Sequence, residues 1–209
     1  MSAESGALPA IRALIFDIGR VIIRLDIKRA MDGLSVRSAA SPEVVWQSIQ
    51  DDPLWREWQE GRIASRDWHQ YLSRRLGLIL GYEEFCSIWN RALDPITLLP
   101  DWLFADLSQR YTLALLSNTD PIHVAYMESN FDFIRAFPVR IYSCAVGATK
   151  PCPAIFQRAL EACSLTASEG FFIDDIQPFV VAAREFGLRG LQFLSADQLL
   201  ADFRALGIL

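Results

Sequence analysis

At 209 residues the chain is long enough for one large hydrophobic core with an inserted module, and 52% hydrophobic residues supply the material to fill it. A net charge of −5 provides no basic stripe, which argues against nucleic acid or an acidic membrane surface as the main partner. No apolar stretch approaches the length of a membrane span, and Met1–Gly6 lacks a basic end followed by an apolar block, so a cytoplasmic location is the default expectation.

Along the chain, short apolar runs end on polar residues. The first, Ala13-Leu14-Ile15-Phe16, reads as a buried strand and ends on Asp17, followed by Ile18-Gly19-Arg20. The segment of about 90 residues that follows is too long for a simple loop in a compact domain. From about residue 27 to 94 it carries helical patterns broken at Ser41-Pro42, Asp52-Pro53, Gly61, Gly77 and Gly81, which predicts an inserted helical unit. Ser41-Pro42-Glu43 reads as a helix N-cap with proline at the first position, and Ile63–Trp68 as a turn entering the next helix.

Thr112–Leu116 is the second buried run and ends on Ser117-Asn118-Thr119-Asp120. Lys150-Pro151 stands just before the helical pattern Ala154–Glu161, and the third run, Gly170–Ile173, ends on Asp174-Asp175. Runs of this kind joined by helical patterns predict a doubly wound parallel-sheet α/β core, where a ligand site lies outside the carboxyl ends of the strands. Taken singly, Asp17 could merely start a turn, Ser117-Asn118 could cap a helix, Lys150 could be solvated, and Asp174-Asp175 could sit on a helix dipole. Taken in order, after strands, they describe one phosphoryl-transfer site.

The residue types suit that chemistry. A carboxylate can attack a phosphoryl group and form an acyl phosphate that water then cleaves. Three acids facing an anionic substrate need a divalent cation to bridge them, and Mg2+ favours a few carboxylates plus substrate oxygens. An ammonium and a hydroxyl then hold the remaining phosphoryl oxygens.

On the segments Phe16–Ile22, Leu115–Asp120, Gly147–Phe156 and Phe171–Ile176, the chain resembles the haloacid dehalogenase (HAD) superfamily, in its phosphatase branch with a helical cap. Ala182–Leu188 also resembles the family's helix after the last acidic motif. The resemblance implies a Rossmann-like core over residues 8–26 and 95–209, with a helical cap over 27–94 that closes over the nucleophile and selects the substrate. It makes Asp17 the nucleophile and a Mg2+ ligand. Ser117, Asn118 and Lys150 would hold the transferring phosphate, Asp175 would be a metal carboxylate, and Asp174 would act through water or by orienting its neighbours. The Gly19 backbone carbonyl would be a further metal ligand. It also implies magnesium-dependent hydrolysis of a small phosphorylated metabolite, with sugar phosphates the first guess, by a monomer or homodimer.

The chain departs from the usual pattern at Gly19, where most phosphatases of the superfamily carry a second aspartate as acid and base. Such assistance is worth about 10²–10⁴-fold. A subgroup with Asp-x-Gly in the first motif resembles this chain and is still thought to hydrolyse phosphate esters. Arg20, where that subgroup tends to have a small residue or Asn, could contact substrate, cover the site or sit at the surface, and is not assigned as catalytic. The rival readings are a non-catalytic or very slow binding or regulatory protein on the same scaffold, and a haloacid dehalogenase, which works without metal and does not need the tandem acids. A receiver-type signalling domain is disfavoured because its acidic pair comes early in the chain.

Five of the six tryptophans, Trp46, Trp55, Trp58, Trp68 and Trp89, fall in the helical segment. Packing is the expected role of each, because a small helical unit needs bulky residues for its core. Trp55–Arg62 is the exception, a mixed aromatic and charged stretch expected to turn toward the site. Cys86, Cys144, Cys152 and Cys163 lack metal-ligand spacing and read as free thiols in a reducing compartment. His123 reads as a capping or packing residue.

Overall fold

The structure is a computed structural model, and it describes residues 10–209. The first two residues of the expected core, 8 and 9, and the Met1–Gly6 stretch lie outside the described residues. The central sheet has five strands: β1 (Ala13–Phe16), β4 (Thr112–Ser117), β5 (Val139–Tyr142), β6 (Gly170–Asp174) and β7 (Arg189–Gln192). They are parallel throughout, in the order β5-β4-β1-β6-β7. β1 lies at the centre, with chain order running outward on either side, which creates a topological switch point at its carboxyl end.

The runs are continuously apolar because both faces of the sheet are covered. Leu14, Phe16, Leu113, Leu115, Phe171 and Ile173 pack on one side with α6 (Asp101–Leu107), α7 (Pro121–Asn130) and α11 (Ala196–Ala205). Ile15, Ala114, Leu116 and Phe172 pack on the other with α9 (Pro153–Cys163) and α10 (Gln177–Glu185). A single turn, α8 (Ser143–Val146), follows β5. The helix expected over Ala182–Leu188 starts earlier, at Gln177, and stops at Glu185; Gly187 takes a positive φ of 105° and turns the chain into β7.

Between β2 (Ile23–Leu25) and β3 (Leu93–Thr97) lie five helices, α1 (Ile27–Ser35), α2 (Pro42–Gln50), α3 (Pro53–Gln59), α4 (Ser65–Leu76) and α5 (Tyr82–Trp89). Local chemistry sets their starts: Ser41 and Asp52 cap α2 and α3 through side-chain oxygens, each followed by proline at the first helical position. They bury their own apolar cluster, which includes Trp58, Trp68, Phe85 and Trp89 and reaches Ile122 of α7. β2 and β3 pair as an antiparallel ribbon that straddles residues 94 and 95. The sequence does not announce this ribbon, because its strands are short and Pro95 interrupts one of them.

Candidate active site

Each strand of the central trio delivers a polar group at its carboxyl end. Asp17 directly follows β1, Ser117 is the last residue of β4, and Asp174 is the last residue of β6. All three are buried. Lys150 reaches them from the loop before α9, with its side chain 1% exposed. Its ammonium donates to Asp17 Oδ1 (2.7 Å), Asp174 Oδ2 (2.6 Å) and the Leu116 carbonyl (3.0 Å). Its three N–H groups are thus all engaged. Burial works against a charged Lys150, but the charges of Asp17 and Asp174 outweigh it and hold the pKa above the ordinary value.

Asn118 fixes the Lys150 backbone from both sides. Its Nδ2 donates to the Lys150 carbonyl (2.9 Å), and its Oδ1 accepts from the Lys150 amide (2.7 Å). Asp174 Oδ1 in turn accepts from the Ile176 amide (2.8 Å), which braces the turn carrying Asp175.

Asp17, Asp174 and Asp175 each offer a carboxylate oxygen, and these oxygens lie within 4.8 Å of one another. Burial, reinforced by the Asp17 charge, pushes Asp174 up to about 7 despite its bonds to Lys150. Asp175 is also raised, first by burial and then by Asp17, with Arg20 opposing. Three close oxygen donors against one ammonium fit a small hard divalent cation, which would remove the excess negative charge.

A cavity of about 330 Å³ opens above these residues. Asp17, Ser117, Lys150 and Asp175 line its floor, and Trp46, Gln50, Trp55, Gln59 and Trp89 line its far wall. Within the Trp55–Arg62 stretch, Trp55 and Gln59 face the cavity. Trp58 instead is fully buried against Trp68, with ring centroids 5.2 Å apart. Arg62 pairs with Glu57 (2.8 Å) and Glu60 (2.6 Å). The expectation for this stretch therefore fits Trp55 and Gln59, while Trp58 and Arg62 are committed to structure.

The turn after α3 is fastened to the floor of the site. Glu60 accepts from Thr149, the neighbour of Lys150 (2.8 Å). The Ser143 hydroxyl accepts from the Thr119 amide (2.9 Å) and faces the carbonyls of Gln59 (2.7 Å) and Thr119 (2.9 Å).

Sequence reasoning did not single out the group formed by Asp120, His123 and Trp89. Asp120 caps α7 by accepting from the Ile122 and His123 amides, and it also accepts from Trp89 Nε1 (3.0 Å). His123 stacks on Trp89, with Nδ1 3.1 Å from Asp120 Oδ2 and Nε2 3.2 Å from the Trp89 carbonyl. A carboxylate and a carbonyl only accept, so both ring nitrogens carry protons. Burial opposes that charge, but Asp120 outweighs it and raises the His123 pKa. His123 thus caps and packs as expected, while also lining the cavity. A signal was present in Asp120-Pro121, a helix-start dipeptide, but only the fold brings Trp89 to it.

The four cysteines are free and half-buried, and burial pushes Cys144 and Cys163 up to about 11, so these two stay protonated. Among the described residues, no helix is long and apolar enough to cross a membrane.

The chain is 24% identical over 188 residues to D-ribitol-5-phosphate phosphatase of Bacteroides thetaiotaomicron, covering 87% of this chain and 91% of that protein. A crystal structure of a HAD-family enzyme from the same organism, in complex with magnesium and inorganic phosphate, is 25% identical with a TM-score of 0.75, covering 89% of this chain and 96% of that one. L-2-haloacid dehalogenase from Xanthobacter autotrophicus, at 21% identity and a TM-score of 0.64, covers 95% of this chain and 84% of its own and shares the fold. Residues 11–187 match the haloacid dehalogenase-like hydrolase family, and the chain belongs to it.

Proposed function

We propose that this hydrolase is a magnesium-dependent phosphatase of small phosphomonoesters, acting through an aspartyl-phosphate on Asp17. The observation that carries this reading is the cluster of Asp17, Asp174 and Asp175 carboxylate oxygens at the base of the cavity, with the Lys150 ammonium bonded to Asp17 and Asp174. The relatives named above support it by the phosphatase activity of one and the magnesium and phosphate bound by another. The first of these also makes a sugar-alcohol or sugar phosphate the leading substrate class. Asp17, Asp175 and the Gly19 carbonyl would hold Mg2+, with Asp174 orienting them. When bound, the metal would offset the negative charge of the phosphate.

The residues then have separate tasks. Asp17 attacks phosphorus as the ester oxygen leaves. Ser117 donates to a non-bridging oxygen. Lys150 meets a second by releasing one of its present acceptors, most readily the Leu116 carbonyl, because the carboxylates hold it by charge. Asn118 keeps the Lys150 loop in place throughout. Residues 27–94 act as a cap, and its aromatic wall excludes water from the first step.

The test is release of inorganic phosphate from a panel of sugar and polyol phosphates, with magnesium or with chelator, by wild type and Asp17→Asn. Magnesium-dependent turnover that disappears in the variant is the expected outcome. A folded wild type with no turnover on the panel would instead make the protein a binding member of the family, with Gly19 as the reason.

A further inference from the structure

With glycine at position 19, nothing there can protonate the leaving oxygen, and the cavity holds three other cationic candidates: Lys150, His123 and Arg20. Lys150 is bonded to Asp17, Asp174 and Leu116, and the one bond it can release goes to a non-bridging phosphoryl oxygen. His123 spends both of its protons on Asp120 and Trp89. Arg20 is different. Among the described residues its guanidinium has no hydrogen-bond or ion-pair partner, although it lines the cavity beside Asp17 and Asp175. Arg20 is exposed, so its five N–H donors in a rigid fork face solvent at the cavity, close enough for their charge to act on Asp175.

The backbone shows a second departure at the same residue. Arg20 has φ of 60°, a left-handed conformation that glycine or asparagine adopts more readily, and its amide is locked to the Ile23 carbonyl (2.7 Å). A non-glycine residue held in that region and facing an active-site cavity is the kind of strain that persists at functional positions. The far wall contributes indoles and the neutral amides of Gln50 and Gln59, and no lysine or arginine of α1–α5 lines the cavity. That wall suits the neutral body of a substrate, leaving the positive charge near the ester bond.

We infer that Arg20 is a catalytic residue that stabilises the departing ester oxygen, in place of the proton donor that Gly19 cannot provide. The inference rests on the phosphatase reading. An Asp17 carboxylate oxygen forms a bond to phosphorus while the bond to the ester oxygen breaks and its electron pair stays on that oxygen. Arg20 donates N–H bonds to the resulting alkoxide, which takes its proton from solvent water as it leaves the cavity. A second water then attacks the phosphorus of the acyl phosphate, freeing the Asp17 carboxylate and inorganic phosphate and giving up its proton to solvent. Guanidinium keeps its own protons throughout, so it assists by charge and hydrogen bonding.

Substituted phenyl phosphates test this, because 4-nitrophenolate leaves readily and phenolate does not. kcat/KM is the informative constant, since it reports phosphoryl transfer to Asp17. Arg20→Gly relieves the left-handed strain while adding freedom to the unfolded chain, so it should fold and melt close to the wild-type temperature. Arg20→Gly should lower kcat/KM about 10²-fold for phenyl phosphate and less than about threefold for 4-nitrophenyl phosphate, the size expected of one lost transition-state donor. Guanidinium chloride far below denaturing concentrations should restore part of the phenyl phosphate activity. Equal losses on both esters, or no loss on either, would overturn the role of Arg20 while leaving the phosphatase reading intact. A wild type inactive on every ester and on the sugar phosphate panel would overturn both.

Discussion

At Gly19 the space for a side chain is already taken: a Cβ there would lie 2.7 Å from Leu25 Cδ1. That atom is the far end of a flexible side chain, so a larger residue at position 19 would require Leu25 of the ribbon to move. His123 offers the clearest test of electrostatics at this scale. Its folded pKa is raised above 6.5, so the stability it contributes is complete below that value and fades as pH rises through the folded pKa. Asp120 is lowered from 3.8, chiefly by His123 against the penalty of burial, so its contribution is complete above 3.8 and is lost as pH falls through the folded pKa. The pair is thus strongest between these two values. His123→Ala, which leaves a buried carboxylate unpaired, should cost about 3 kcal/mol in that window, with the deficit shrinking in alkaline solution; urea unfolding of both proteins at pH 6 and pH 9 measures it. Asp17, Ser117 and the tandem aspartates stood out as candidates in the sequence because each ends an apolar run, and Lys150 because it directly precedes a helical pattern. Asp120, His123 and Trp89 were not, because a contact between residues 89 and 120 is made by the fold and leaves no local pattern.

The turn between α3 and α4 ties the cavity wall to its floor. Gly61 has φ of 70°, and a Cβ there would sit 2.0 Å from the Cys144 carbonyl oxygen, so the turn reaches the floor only because this residue has no side chain. Gly77, which closes α4 with φ of 63°, has nothing within 4 Å of its would-be Cβ. Alanine at Gly77 meets only the left-handed penalty of about 1 kcal/mol. Alanine at Gly61 also collides with backbone, and about 3 kcal/mol is expected. Gly61→Ala should raise KM as well, because Trp55 and Gln59 move with the turn, whereas Gly77→Ala should leave KM unchanged; steady-state kinetics and denaturant unfolding of the two variants check both. The proline and glycine breaks at residues 41–42, 52–53, 61, 77 and 81 marked these helices because each is a cap or a turn with its own chemistry. β5, β7 and the β2–β3 ribbon carried no such signal: β7 is only partly buried and contains Gly190, and the ribbon depends on pairing residues about 70 positions apart.

Across the whole molecule, the parallel doubly wound architecture followed from buried runs joined by helices, whereas the strand order is set by long-range pairing that leaves no local pattern. The aromatic wall above that site has an optical consequence. Trp55 lies within 5.6–6.2 Å, centroid to centroid, of Trp46, Trp58, Trp68 and Trp89, so five indoles form one contiguous group. Trp102 belongs to α6 and is 51% exposed. Excitation absorbed anywhere in the group can migrate through it, and Trp46, Trp55 and Trp89 border the space a ligand would fill. The protein therefore carries its own fluorophore for occupancy: phosphate and magnesium added together should alter its emission without any attached dye. Trp102→Phe should remove a water-exposed background and keep that response, while Trp55→Phe should weaken it by removing one indole of the cavity wall and separating Trp46 from the Trp58–Trp68–Trp89 group.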